Sequence, residues 1–349
     1  MAPEVPKTHK AAVFKEAGKP LVIEDVETPQ PKEGQVLVKV LACGVCHSDM
    51  MVQQGAINSL RNGKSAIESA GPGTVATAVS PSTYLLTKTR RTPYLPFLNP
   101  THLPPRSGTC KYCTRGTNQV CLTQSINGVS LDGGYAQYVL LRTEAVVRVP
   151  ATLSPVDYAP FLCAGVTVFN SMRHMSIPAG ALVAVQGLGG LGHLAVQYAA
   201  KMGYKVVVLS SGGGKEAFAR ELGASEYVDG SKVGHAEALQ EMGGAAMIVS
   251  TAPNPEVLGQ LQGGLERMGK LLILSPSGEA TINTMPLVVQ GQTIAGWPSG
   301  HAKDSEEAIE FASKNGIKCL VESFPLEKAN EAFDAMASGK VRFRAVLTM

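Results

Sequence analysis

Six residues, Gly187-Leu188-Gly189-Gly190-Leu191-Gly192, constrain this chain more than any others because of what flanks them. An apolar run, Ala181 to Val185, precedes them, and an amphipathic stretch, His193 to Met202, follows and is stopped by Gly203. A second apolar run, Lys205 to Leu209, comes next. Strand, helix and strand in that order imply a parallel pair joined by a helical crossover. Each glycine of the turn has a physical reason. Gly187 makes the tight turn after the strand, Gly189 lets backbone approach a pyrophosphate, and Gly192 lets the helix pack close to the sheet. Amides at the helix start then face the phosphates. The motif predicts a bound dinucleotide, with Gly187, Leu188, Gly189, Gly190, Leu191 and Gly192 as its bed.

The same rhythm continues downstream. Helices are expected at Lys215 to Leu222 and Val257 to Met268, with strands at Ala246 to Val249, Lys270 to Leu274 and Thr293 to Gly296, in a sheet of six parallel strands. Upstream the texture differs: Lys10 to Leu41 alternates apolar and polar residues with Pro and Gly between, as antiparallel sheet does. The C-terminal part, helical at Ser305 to Ser313 and Glu327 to Met336 and strand-like at Val341 to Leu347, is expected to return to the first domain. A length of 349 residues accommodates two domains, and there is no internal repeat of solenoid period.

Charge narrows the function. With 31 basic residues against 28 acidic ones the formal net charge is +3, which offers no electrostatic footprint for nucleic acid or a membrane surface. Met1 to Lys10 is polar, without the apolar core of a signal peptide, and no later run is long and apolar enough to span a bilayer. A cytoplasmic protein acting on small molecules is expected. Seven cysteines without a signal peptide favour metal ligation or free thiols over a disulfide framework.

The cysteines carry a resemblance. Cys43-Gly44-Val45-Cys46-His47-Ser48-Asp49, Cys110-Lys111-Tyr112-Cys113 with Cys121, Asp132-Gly133-Gly134-Tyr135-Ala136, Leu162-Cys163-Ala164-Gly165-Val166-Thr167 and the glycine turn through Gln197-Tyr198-Ala199 resemble the zinc-containing medium-chain alcohol dehydrogenases, in particular the fungal primary alcohol dehydrogenases. The resemblance implies an α/β protein: a Rossmann-type doubly wound parallel sheet over 161–297, and a mostly antiparallel, GroES-like catalytic domain over 1–160 and 298–349, irregular at 56–107. It implies further that Cys43 and Cys163 are thiolate ligands of a catalytic zinc. Ser48 would pass the alcohol proton outward, His47 would meet the pyrophosphate or continue that relay, Asp49 would support the metal's surroundings, and Thr167 would pack near the nicotinamide. Cys46 is not among the expected ligands, and Cys319 reads as core.

Two departures from the family pattern follow. Its structural zinc lobe has four cysteines; Cys110, Cys113 and Cys121 stand in the last three places and Ser107 in the first, a poor donor beside thiolates. His102 is an alternative fourth donor. Between Ala56 and Arg106 the family's Gly-His-Glu triplet, source of the third catalytic zinc ligand, is absent: the stretch holds seven prolines and six basic residues against one acid, Glu68. Glu68 or His102 would have to complete the catalytic site. Sharp edges with matching residues on either side are what a segment translated in a shifted frame would give.

The strand ending at Leu209 is followed by Ser210-Ser211-Gly212-Gly213-Gly214-Lys215, with no carboxylate where NAD-specific enzymes hold the ribose 2′-hydroxyl. Ser210, Ser211 and Lys215 would instead receive a 2′-phosphate, so NADP is expected ahead of NAD, together with zinc. The expected activity is hydride transfer between NAD(P) and a primary alcohol or aldehyde, in a homodimer or homotetramer. Two alternatives stand beside it: a dinucleotide-binding relic without catalytic zinc, and a zinc-independent reductase of the quinone or enoyl type, which would have no need of Cys43, Ser48 and Cys163.

Overall fold

The structure, a computed structural model, describes residues 5–54, 108–123, 125–129, 131–150 and 153–349. In chain order the elements are β1 (Thr8–Val13), β2 (Val22–Glu27), β3 (Gln35–Lys39), β4 (Ala42–Gly44), α1 (His47–Gln53), β5 (Tyr138–Arg142), α2 (Pro155–Tyr158), α3 (Ala164–Arg173), β6 (Leu182–Gln186), α4 (Gly192–Lys201), β7 (Lys205–Ser210) and α5 (Glu216–Glu221). They continue with β8 (Glu226–Asp229), α6 (His235–Glu241), β9 (Ala245–Ser250), α7 (Pro255–Gln262), β10 (Leu265–Ile273), α8 (Thr284–Val289), β11 (Thr293–Gly296), α9 (Ala302–Asn315), β12 (Val321–Pro325), α10 (Ala329–Ala337) and β13 (Arg344–Thr348). Two compact units result: residues 1–163 with 301–306 and 319–349, and residues 164–300 with 307–318. No helix among the described residues is long and apolar enough to cross a membrane.

In the first unit the alternating N-terminal sequence becomes two antiparallel pairs, β1 with β2 and β3 with β5. A third sheet, ordered β12-β13-β4, joins a parallel pair to the antiparallel β4, whose Cys43 lies opposite Leu347. The core between them gathers Phe14, Val38, Cys43, Tyr135, Leu141, Phe333 and Leu347, so residues from both ends of the chain share it, while residues 307–318, with most of α9, group with the second unit.

In the second unit six parallel strands run in the order β11-β10-β9-β6-β7-β8. Every residue of β9 is buried, as is expected of a strand covered on both faces. The order reverses direction between β6 and β9, and ligands of such sheets bind at the carboxyl ends beside that point. The sixth strand, β8, has no apolar run in sequence: it is short and only Val228 is buried.

One helix is shorter than its sequence pattern implies. The stretch Val257 to Met268 is helical only to Gln262, after which Gly263-Gly264 releases the chain into β10. Pro255 in the first turn and the Asn254 side chain accepting from Glu256 N–H fix its start. Its end is fixed by space: a Cβ on Gly264 would stand 2.7 Å from Leu239 Cδ1, and one on Gly269 would stand 2.8 Å from the Ala245 carbonyl oxygen. At Gly269 the clash is with backbone, so a side chain there would part β10 from β9.

Candidate active site

The first unit holds a buried cluster around two sulfurs. β4 runs Ala42 to Gly44, entirely buried, and ends where Val45 N–H donates to the Ala345 carbonyl. Cys46 is the N-cap residue of α1, in extended conformation, and the Asp49 carboxylate accepts from the Cys46 N–H at 2.8 Å. That reciprocal arrangement lifts the Cys46 side chain out of the strand's pleat. Its sulfur lies 3.8 Å from the sulfur of Cys163, 117 residues further along.

Cys43 is therefore not the partner of Cys163, contrary to expectation. It is 0% exposed, its thiol directed to the Gly44 carbonyl inside the apolar core, where burial, and then the Asp49 charge, push the thiol well up from its ordinary value. A thiol held protonated is a poor metal donor. Cys46 is the opposite case: the hydrogen bond from Cys163, and then the charge of Arg344, outweigh burial and bring its thiol well down. The physical reason is position in the backbone, strand for Cys43 and helix cap for Cys46.

Charged groups surround the pair. Arg344, at the start of β13 and 5% exposed, stays protonated: burial works against its charge, but the sulfurs of Cys46, Cys163 and Cys319 outweigh it. Asp49 is fully buried, and its carboxyl is pushed up to about 8 by desolvation and then by the Cys46 charge. Tyr135 OH donates to Asp49 Oδ2 at 2.7 Å, which carries the Asp-Gly-Gly-Tyr stretch into the site. Two buried polar atoms, Asp49 Oδ1 and Arg344 Nε, have no hydrogen-bond partner among the described residues, and the Ser48 hydroxyl lies against the Cys46 sulfur. Buried polar groups of that kind call for a ligand or water. His47, beside Ser48 at the start of α1, is exposed.

The pair meets the demands of zinc. Two thiolates about 2.3 Å from one tetrahedral ion stand about 3.8 Å apart, and a nearby guanidinium favours the ionised sulfurs. Glu68 and His102, the expected completing donors, lie outside the described residues, as does Ser107.

A second sulfur cluster, Cys110, Cys113 and Cys121, lies on a turn-rich stretch of the same unit. Its separations are 3.5 Å (Cys110 to Cys113) and 4.0 Å (Cys110 to Cys121), and it is the only group of three or more potential ligands among the described residues. All seven cysteines are described, and the remaining four sit elsewhere, so any fourth donor here is not a sulfur. Cys319, expected in the core, is buried, and burial pushes its thiol up to about 12.

In the second unit the glycine turn has the required shape. Gly187 has φ +89°, a region that favours glycine, and a Cβ on Gly192 would lie 1.9 Å from the Gly187 carbonyl oxygen. A Cβ on Gly189 would meet nothing within 4 Å, leaving the space a diphosphate needs. Across the reversal point Thr251 Oγ1 donates to the Gln186 carbonyl at 2.8 Å and Ser250 Oγ to Gln186 Oε1 at 3.1 Å, so β9 fixes the strand end from which the turn leaves. Neither Ser250 nor Thr251 carries a motif in sequence. Ser210 ends β7 and is buried, whereas Ser211 and Lys215 are exposed. Thr167 lies on α3, its hydroxyl 2.9 Å from that of Ser299, and Trp297 stacks on His174 at 3.9 Å.

Comparison with known proteins follows the same division. A family model described as alcohol dehydrogenase GroES-like domain matches residues 32–151, a span that includes 56–107, and one described as zinc-binding dehydrogenase matches residues 190–314. Alcohol dehydrogenase patD of Penicillium expansum is 51% identical over 352 residues, covering 100% of both chains. Alcohol dehydrogenase notN of Aspergillus sp. (strain MF297-2) is 46% identical over 345 residues, covering 99% of each. Among solved structures, the alcohol dehydrogenase of the hyperthermophilic archaeon Aeropyrum pernix superposes with a TM-score of 0.81 at 26% identity, over 97% of this chain and 100% of that one.

Proposed function

The chain belongs to the zinc-type medium-chain alcohol dehydrogenase family and is an NAD(P)-dependent alcohol dehydrogenase, and from that premise we propose that it is zinc-dependent, prefers NADP, and interconverts a primary alcohol and its aldehyde. The sulfur pair Cys46 and Cys163, 3.8 Å apart beside the buried Ser48 hydroxyl, carries this reading. Cys46 replaces Cys43 in the ligand set, and Glu68 is the candidate third donor.

When bound, zinc supplies a Lewis acid for the substrate oxygen and the nicotinamide supplies the hydride acceptor. The rest belongs to this chain. Ser48 Oγ takes the alcohol proton in oxidation and returns it in reduction, and His47, exposed beside it, hands the proton to solvent. Arg344 holds Cys46 in its thiolate form, and Asp49, locked by Tyr135, fixes the cap that aims the Cys46 sulfur. In the second unit the turn Gly187 to Gly192 receives the diphosphate, Thr167 packs near the nicotinamide, and Ser210, Ser211 and Lys215 receive the 2′-phosphate. Cys110, Cys113 and Cys121 would hold a second zinc, weakly unless a fourth donor joins the three sulfurs.

The absence of any membrane-crossing helix among the described residues supports a cytoplasmic enzyme, and assembly to a dimer or tetramer is supported by exposed Met268, Met285, Val288 and Val289 close in sequence to the sheet-edge strand β11. Zinc content measured together with NADPH oxidation on a panel of aldehydes tests the proposal. One or two zinc ions per chain with aldehyde-dependent turnover supports it; dinucleotide binding with neither identifies the relic instead.

A further inference from the structure

The loop after β7 cannot hold its own shape, since Gly212, Gly213 and Gly214 follow one another and Gly212 has φ +80°. Its conformation is imposed by the neighbouring strand. Tyr227 OH donates to the Gly212 carbonyl at 2.6 Å, and the Gly212 N–H donates to Asp229 Oδ1 at 2.7 Å. Tyr227 and Asp229 are two apart on β8, so one face of that strand grips both polar groups of one glycine.

The grip is itself supported. Asp229 Oδ1 also accepts the N–H of Ser231 at 3.0 Å and its hydroxyl at 2.7 Å, and Lys232 Nζ lies 3.8 Å from Oδ2. These donors, those of Ser231 foremost, hold the carboxyl below its ordinary value. A carboxylate so engaged stays ionised, its oxygens occupied by Gly212, Ser231 and Lys232. His235 Nε2 stands 3.4 Å from the Ser210 carbonyl, its ring packed over Gly230, where a Cβ would be 2.4 Å from that nitrogen and would displace the ring. The result is a rigid platform with exposed Ser211 and Lys215 on either side of three glycines.

We propose that Tyr227 and Asp229 are positioning residues that set the discrimination between NADP and NAD, by clamping the loop that reads the ribose 2′ position. The proposal rests on the dinucleotide site described above. Ordering a glycine loop costs conformational entropy, and a loop ordered in advance spares the ligand that cost on binding. Only the part of the ligand touching the loop senses it, so loosening the clamp alters the preference between ligands with and without a 2′-phosphate, not binding in general.

The test titrates the full-length protein calorimetrically with adenosine 2′,5′-bisphosphate and with AMP, which differ only at the 2′ position. Tyr227→Phe and Asp229→Ala are expected to move the ratio of the two dissociation constants toward one by about tenfold, the loss of a single well-formed hydrogen bond. Asp229→Asn, which keeps an acceptor oxygen for Gly212, is expected to retain most of the wild-type ratio. Thermal melting of each variant shows whether it is folded. An unchanged ratio in folded Tyr227→Phe and Asp229→Ala, or equal weakening for both probes, overturns the clamp. The wild-type ratio by itself tests the preference for NADP: a wild type favouring AMP removes that preference, whereas the clamp is judged by whether the variants shift the ratio from either side.

Discussion

The two sulfur clusters of the first unit are made in different ways. Cys110, Cys113 and Cys121 come together within one short turn-rich stretch, held by local main-chain bonds such as Thr114 N–H to the Cys110 carbonyl and Gly116 N–H to the Cys113 carbonyl. Cys46 and Cys163 come from distant parts of the chain and meet where β4, paired with β13, packs against the turn that ends in Cys163. Their surroundings differ accordingly. The long-range pair sits beside the buried Arg344, whose charge helps to lower the Cys46 thiol; the local trio is closed within its own short stretch and has the character of a structural staple. A metal at the first should control turnover, and one at the second should control stability.

The largest expected effect separates neighbouring cysteines. Cys46→Ser should lower kcat/KM by about a hundredfold or more and remove one zinc per chain, because it deletes a ligand and not merely a supporting contact. Cys43→Ala, three residues away, should leave zinc content and turnover intact while costing about 1–2 kcal/mol of stability from a small core cavity, read by denaturant unfolding. Equal loss of zinc in both would break the distinction between them.

Gly192→Ala comes next. The added methyl meets the Gly187 carbonyl, so dinucleotide affinity should fall by about thirtyfold, equivalent to about 2 kcal/mol of overpacking, with zinc content unchanged. Fluorescence titration with NADPH measures it. Cys113→Ser should release the other zinc and lower the melting temperature by about 4 °C, while kcat stays within about twofold of wild type. A collapse of kcat at the permissive temperature would mean that the trio is not simply a staple.

The smallest effect is one of rates. With zinc removed, Cys46, whose thiol is held low, should be alkylated by iodoacetamide near pH 7, where an ordinary thiol is mostly protonated, and its rate should fall as pH drops through that lowered value. Cys43 and Cys319, both pushed up by burial, should resist the reagent at that pH. Peptide mapping gives the order; early labelling of Cys43 would reverse the contrast drawn between strand and cap.

What sequence made legible was whatever local periodicity encodes. The glycine turn, the helix it opens and the fully buried strands were readable because their patterns lie within a dozen residues. Cys43 and Cys46 lie in one short motif that does not rank them, and the deciding fact, that Ala42 to Gly44 is a strand with Cys43 buried in it, depends on pairing with β13 at the other end of the chain. A usable signal was present: Cys46 and Asp49 have the spacing of a helix capping box, which marks Cys46 as the residue leaving the strand. Arg344, Tyr227 and Asp229 gave no such signal. Their roles come from sheet register and burial, which bring Arg344 close to the sulfurs and put Asp229 under Gly212.

The identity of the two thiolates is best tested by diffraction from the zinc-loaded protein at the zinc absorption edge. The account predicts an anomalous peak about 2.3 Å from the sulfurs of both Cys46 and Cys163. A peak bonded to Cys43, or a zinc-replete crystal with no peak between Cys46 and Cys163, would contradict it.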